Sequence, residues 1–231
     1  MPLVTYDTPD DLYVARGTPV DRFRPLYTGD VFADVRIPEV QDFGLAMVIS
    51  QSCTMRGVGG RLVEKVLAVS VQAADPKPPS VWVDRYLKWM PLPDLIEREH
   101  HEAHFREMGQ VKTDILRLEN RIACLSAFGV NMLHQRLIFN LSRVEIRLDE
   151  IADYTAHNYE EADLQEEFTR TVCSAGIDED RAQTAFEEFM STSPVGEAGR
   201  SRRKDLRDKS LRPSVRRQCR EEAERIARGV A

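Results

Sequence analysis

Three short β-type segments near the start of the chain constrain its fold more than any other feature. Residues 29–37 place Val31 and Val35 on one face, residues 45–51 form a continuous apolar run, and residues 65–72 repeat that apolar pattern. Alternation with a period of two indicates a half-buried strand, whereas an unbroken short apolar run indicates a strand buried on both faces. The glycines between the second and third segments predict a flexible hairpin loop. Together these segments predict a compact, mainly β domain.

The middle of the chain mixes strand and helix signals. Residues 81–89 are predicted to form a fourth strand and residues 120–125 another, while residues 94–118 fit either a helix or a strand. Ser126 is a suitable N-cap for a helix over the sequence AFGVNMLHQRLIFNLS. The apolar side chains with helical spacing in that stretch, which we expect to face a core, are Phe128, Met132, Leu133, Leu137 and Leu141.

After about residue 150 the pattern is helical. Leu164, Phe168 and Val172 recur at intervals of four residues, and Gly176 and Asp178 are suitable caps for a helical hairpin. Pro213 and Gly229 bracket a last helix. The sequence therefore predicts an α+β protein, with an SH3-like β-barrel and a packed helix followed by a helical C-terminal region. The predicted divisions are an N-terminal arm (1–25), a barrel-like domain (26–150), a helical hairpin (151–190), and a linker with a basic helix (191–231).

The charge distribution predicts an acidic partner for the C-terminal tail. The chain carries a net charge of −6, but residues 200–231 contain 12 Arg or Lys against 5 Asp or Glu, a net +7 that leaves −13 for the rest. Such a tail fits docking on an acidic protein, on the chain's own acidic helices, or on nucleic acid. Residues 191–231 lack the aromatic side chains typical of single-strand binding. The candidate contact residues are Arg200, Arg202, Arg203, Lys204, Arg207, Arg216, Arg217 and Arg220.

Composition favours a cytoplasmic protein. No apolar run approaches the roughly 18 residues of a membrane-spanning helix, and the acidic N-terminus lacks the pattern of a signal peptide. The four cysteines contain no CxxC pair, which favours reduced thiols. We therefore expect no membrane association, a protein partner or nucleic acid as ligand, and no cofactor, with the oligomeric state left open.

Two short motifs resemble the PemK/MazF family, whose members have a small SH3-like barrel. Gly29, Asp30 and Val31 match the G-D-[IV] opening of that barrel, and residues 48–50 match its V-I-S strand. The similarity covers residues 28–72, and the helix-containing stretch 121–143 with its flanks also resembles uncharacterised bacterial proteins. The resemblance implies an endoribonuclease with an arginine before the V-I-S strand and a Thr or Ser after the third strand. This chain has no arginine at the first place, and Ser70 is the counterpart at the second.

Three further groups of residues are candidates for chemistry. Cys53, with Arg56 nearby in sequence, is a candidate ligand contact, although a buried packing role is the simpler interpretation. His100 and His104 could share a metal ion if residues 97–104 were helical, but on a strand they stand farther apart, and we expect no metal. The glycines near Gly57 lack the motif and the following helix of a phosphate-binding loop.

The sequence thus predicts a non-catalytic binding or adaptor protein built on a barrel scaffold. Phosphodiester cleavage needs a cation and a group that moves protons, and the matched positions supply neither clearly. The rival prediction is a nuclease whose catalytic groups lie elsewhere, with Arg85, Arg121, His134 and Arg143 as candidates. A third is a structural subunit of a larger assembly.

Overall fold

The computed structural model describes five stretches of the chain, residues 3–17, 20–57, 61–84, 88–193 and 200–229. The chain forms two compact units that interleave in sequence. The first contains residues 1–20, 26–55 and 63–155, and the second contains residues 21–25, 56–62 and 156–231. The divisions drawn from the sequence at residues 25, 150 and 190 stay a prediction.

A seven-stranded antiparallel sheet dominates the first unit. Its strands lie in the order β1-β7-β2-β3-β4-β6-β5, and every neighbouring pair is antiparallel. The strands are β1 (Tyr13–Arg16), β2 (Val31–Ile37), β3 (Gln41–Val48), β4 (Lys65–Ala73), β5 (Trp89–Ile96), β6 (Glu99–Lys112) and β7 (Arg121–Leu125). With the helices described below, this confirms the predicted α+β class.

Side chains link the two edge strands of the sheet. Tyr13 of β1 donates its hydroxyl hydrogen to the carbonyl oxygen of Pro93 in β5 at 3.0 Å, and Arg16 reaches the same oxygen at 3.4 Å. Pro91 and Pro93 have no N–H group, which is why β5 suits an edge position. These bonds draw the edges together, and the sheet is a nearly closed barrel.

The barrel interior is built from alternate residues of several strands. Its buried apolar cluster includes Leu26, Phe32, Val35, Ile37, Ala46, Val48, Met55, Val66, Ala68, Val111 and Leu116. Gly109 of β6 marks a close crossing, because a Cβ atom there would lie 2.7 Å from Cγ2 of Ile37. The second half of β6 therefore curls across β2 and encloses the cluster.

Helix α2 (Ala127–Ser142) follows β7 in the first unit. Its predicted N-cap is confirmed, because the hydroxyl oxygen of Ser126 accepts a hydrogen bond from the Gly129 amide at 3.0 Å. All eight residues from Gly129 to Arg136 are buried, so this part of the helix is enclosed on every side rather than along one apolar stripe. The predicted core face is correct at Met132 and Leu133, but Leu141 is 67% exposed.

The structure corrects two sequence predictions in this unit and resolves a third. Residues 81–89 do not form one strand, because Pro79–Asp84 form helix α1, and Pro79 suits a helix start since its fixed φ is preorganised for that position. The N-terminal arm is not wholly irregular, because it contributes β1. Residues 94–118, left open by the sequence, form the end of β5, the long strand β6 and short 3-10 turns.

The second unit is helical. Its helices are α3 (Leu148–Ser174, from Ala156 onward), α4 (Glu179–Ser191), α5 (Arg202–Asp205) and α6 (Arg212–Arg228). Their core contains Leu164, Phe168, Val172, Phe186, Phe189, Met190, Leu206, Val215, Cys219 and Ala223. The predicted cap at Asp178 is confirmed, since its side chain accepts from the Arg181 amide. Among the described helices, none is both long enough and apolar enough to cross a bilayer.

Candidate functional site

The two motifs of the family resemblance lie side by side in the barrel. The amide of Gly29 donates to the carbonyl oxygen of Val48 at 2.8 Å, and the amide of Val48 donates to the carbonyl oxygen of Asp30 at 2.9 Å. Ser50 accepts a hydrogen bond from the Leu67 amide at its hydroxyl oxygen, 2.8 Å away. The motif residues thus join the start of β2 to the end of β3 and the start of β4, which is a structural role.

A buried ion pair fixes the first motif. Arg121 donates to Oδ2 of Asp30 at 3.1 Å, and the side chains are 0% and 1% exposed. The same carboxylate oxygen accepts from the Tyr27 amide at 3.0 Å. Because a buried charge is tolerated only when it is paired, the guanidinium of Arg121 is held inside the protein. This geometry does not present it to a phosphodiester.

The place where the resemblance implies a catalytic arginine holds none. Residues 44–47 are Gly, Leu, Ala and Met, and Ala46 and Met47 are buried in β3. Ser70, the counterpart of the family's Thr or Ser, is only 1% exposed on β4. Its hydroxyl accepts a hydrogen bond from Gln72 at 3.2 Å.

Ser70 lies in a group of five side chains that the sequence analysis did not bring together. We call this group the polar row; it consists of Ser70, Gln72, Trp89, His104 and Glu107. His104 of β6 pairs in register with Ser70 on one side and with Trp89 on the other, so the three side chains share a face. The Trp89 indole donates to Nδ1 of His104 at 3.0 Å, so neutral His104 carries its proton on Nε2.

Glu107 completes the polar row where β6 bulges away from β4. The register shifts between Val69 and Ser70, and Glu107 comes within 3.6 Å of Nδ1 of His104. Gln72 also donates to Glu107. The row therefore offers a histidine and a carboxylate at the end of the third barrel strand. The sequence signal was the alternation of His100, Glu102 and His104, which indicates one face of a strand.

A second polar pair lies farther along that face of β6. Lys77 donates to Glu102, whose side chain is 5% exposed. The ring of Trp82 is stacked on His100 with centroids 6.0 Å apart, and the Lys77 ammonium is 5.4 Å from the Trp82 ring centre. Burial lowers the pKa of His100 below its usual value, so the imidazole is neutral at pH 7.

Metal chelation by His100 and His104 does not fit this geometry. Four residues of extended strand separate them, which places their Cα atoms about 13 Å apart. Among the residues that the structure describes, no group of three or more His, Cys, Asp or Glu side chains could hold a metal ion.

The two predicted ligand-contact residues lie in different units. Cys53 of the first unit is exposed, and its thiol lies 3.8 Å from the Gln51 side-chain oxygen. Arg56 belongs to the second unit, where burial lowers its pKa despite the charges of Glu187 and Glu161. It lines a polar cavity of about 370 Å³. Their role as ligand contacts stays a prediction.

Most of the basic tail is engaged within the second unit. Arg203 binds Glu161 at 2.7 Å and Glu187 at 2.9 Å, and Arg220 binds Glu167 at 2.7 Å. The other contacts are Arg200 with Asp205, Arg216 with Glu160, Arg217 with Glu221, and Arg202 with Gln218 and Thr192. The second unit contains 18 Arg or Lys and 17 Asp or Glu, so its charges nearly cancel. Lys204 and Arg207 are exposed.

Three of the four rival catalytic residues lie in the part of the chain that the structure describes. His134 lies on α2, where burial lowers its pKa to about 4, and Arg143 ends that helix at a φ of 60°. Arg121 is held by Asp30, and Arg85 lies outside the described residues.

Comparison with known proteins assigns the chain to no family, because no family model and no curated protein matches it. The PemK/MazF resemblance therefore stays a prediction.

Proposed function

We propose that this protein is a non-catalytic, cytoplasmic binding protein on a PemK/MazF-like barrel scaffold, and that exposed cations of its tail contact an acidic partner. The observation that supports this most directly is the buried pair of Arg121 and Asp30. A cleavage site needs a cation that faces the substrate, and this arginine instead stabilises the start of the barrel. The free state of all four cysteines fits a reducing compartment.

This chain has the structural hydrogen bonds of the barrel at the matched motifs but lacks an exposed catalytic pair there. The hydrogen bonds between Gly29, Asp30 and Val48 support the family-like framework. The apolar residues 44–47 and the buried Ser70 supply no exposed catalytic pair. A scaffold that keeps its structural motifs without the cation is suited to binding rather than to bond cleavage.

The tail cations that are exposed and outside the internal ion pairs support contact with an acidic partner. Deleting residues 200–231 would not test this, because Leu206, Val215 and Cys219 are buried in the helical core and their loss would unfold the unit. A charge substitution at Arg207 leaves that core intact. Arg181, 83% exposed on α4, is a matched control for the same change in charge.

The test is a titration of wild type, Arg207→Glu and Arg181→Glu with RNA, with DNA and with acidic proteins captured from the native host, at two salt concentrations. We expect Arg207→Glu to weaken binding and Arg181→Glu to leave it nearly unchanged, with a salt dependence typical of ionic contacts. Equal binding by all three proteins would contradict the proposed role of the tail.

One observation favours a nuclease as the alternative. The polar row places His104 opposite Ser70 at the end of the third barrel strand, where the resemblance implies a hydroxyl group. RNA degradation by highly purified protein that disappears in His104→Ala, with the fold retained, would support that alternative.

A further inference from the structure

The last turn of α5 and the turn that joins α5 to α6 each carry an exposed cation without a direct ion pair to any described residue. Lys204 and Arg207 are exposed, and among the described residues no hydrogen bond or ion pair engages either side chain. Asp208, the carboxylate beside Arg207, accepts hydrogen bonds from the amide and hydroxyl of Ser210 and lies 4.0 Å from Arg200. Lys204 and Arg207 therefore present to solvent two positive charges that no direct ion pair within the described part of the chain engages.

Two ion pairs hold this turn against α3. Arg203 binds Glu161 at 2.7 Å, and Arg212 approaches Glu160 at 3.7 Å. His157 precedes these glutamates by three and four residues, so it lies one helical turn earlier on the same face of α3. The ion pairs thus bring the imidazole of His157 next to the turn.

The electrostatic surroundings of His157 are cationic. The side chain is half-buried, and its pKa is lowered by burial first and then by the positive charges of Arg207 and Arg212. Arg212 and Arg216 share one carboxylate, that of Glu160, and the charge of Arg212 also acts on Asp208. The three arginines at positions 207, 212 and 216 thus outnumber these two carboxylates, and an anion beside His157 would be attracted by the arginines.

We propose that His157, Arg207 and Lys204 form a binding site for a phosphate group. A guanidinium supplies paired donors that match phosphate oxygens, the ammonium adds a point charge, and the imidazole adds a donor that becomes charged when an anion is near. The phosphate could belong to a nucleic acid backbone or to a free phosphate. Binding of a nucleic acid backbone at this site rests on the proposed function, whereas binding of a phosphate group as such does not.

The experiment follows the imidazole signals of His157 by NMR through a pH titration in inorganic phosphate and in chloride at equal ionic strength. His157→Gln assigns the signals among the five histidines. We expect phosphate to raise the pKa of His157 in a saturable way, because a bound anion favours the imidazolium. We expect Arg207→Gln to weaken the apparent phosphate affinity about tenfold, the loss of one charge-assisted contact.

The matched control is Arg181→Gln, which removes an arginine that is 83% exposed on α4 and lies 3.4 Å from Asp178. It should leave the response of His157 to phosphate unchanged, and Lys204→Gln should weaken it. A pKa of His157 that is the same in phosphate and chloride would overturn the proposal. Equal losses in Arg207→Gln and Arg181→Gln would also overturn it, since they would show a general charge effect.

A second arm identifies the source of the phosphate. Short single-stranded RNA that displaces inorganic phosphate from His157 would point to a nucleic acid backbone. RNA that leaves the response to phosphate intact would point to a free phosphate, and in that case the site stands while the nucleic-acid version of the proposed function fails.

Discussion

Removing one partner of the Asp30–Arg121 pair should strongly destabilise the first unit. Both side chains are almost completely buried, with 3.1 Å between the guanidinium nitrogen and the carboxylate oxygen. Arg121→Met would leave the Asp30 carboxylate buried without its cation, which typically costs about 3–5 kcal/mol of unfolding free energy. Asp30→Asn should also be costly, because it leaves the buried guanidinium of Arg121 without its counter-ion, although the amide oxygen can still accept from the Tyr27 amide.

The double variant measures the pair itself. Asp30→Asn with Arg121→Met removes both charges, so its cost should fall below the sum of the single costs by about 1–3 kcal/mol. Urea unfolding followed by tryptophan fluorescence suits this cycle, because the only two tryptophans, Trp82 and Trp89, both belong to the first unit. The signal therefore reports the unit that contains the pair.

An additive cycle would refute this reasoning. So would a loss below about 1 kcal/mol for Arg121→Met, which is the range of an exposed pair. Either result would mean that the barrel does not need the guanidinium of Arg121 in its interior, and that this arginine is available for chemistry.

Three further predictions concern stability. The pKa of His134 is lowered by burial to about 4 in the folded state, so the unfolded chain binds more protons as the pH falls below about 6.5. Acidification from pH 7 to pH 4.5 should therefore remove about 2 kcal/mol. His134→Gln should flatten this dependence in urea titrations at the two pH values, and an identical pH dependence of both proteins would contradict the prediction. Gly29→Ala should cost about 1–3 kcal/mol, measured by the same fluorescence, because Gly29 has a φ of +87° and a Cβ would lie 2.6 Å from Cδ1 of Leu125; an unchanged midpoint would show that the turn relaxes freely. Phe186→Ala should lower the unfolding free energy of the second unit by about 3–5 kcal/mol in far-UV circular dichroism melts, since Phe186 is fully buried. Wild-type stability of this variant would show that the ring contributes little to the stability of the helical core.

The parts of the fold that follow local rules were predictable from the sequence. Ser126 and Asp178 cap helices because a short side-chain oxygen can accept from an amide three residues on. Gly176 follows α3 with a φ of +90°, a conformation that favours glycine. β4 begins at the predicted residue, Lys65, and its residues 68–71 are buried on both faces, as an unbroken apolar run indicates.

The parts that depend on long-range contacts were not predictable. Residues 81–84 alternate like a strand, yet they form the end of α1, where Trp82 is buried against His100. The polar row needs the register of β4, β5 and β6, and the sequence left residues 94–118 open between helix and strand. The pairing of Arg203 with Glu161 and Glu187 depends on how α3, α4 and α5 pack, which charge counts alone do not reveal.

The most direct test of the account is a cleavage assay that compares wild type with Ser70→Ala and His104→Ala on labelled RNA after stringent purification. The account predicts no degradation above the buffer control for any of the three proteins. Degradation by wild type that is lost in both variants, with the barrel still folded by tryptophan fluorescence, would contradict it and make the polar row a catalytic site.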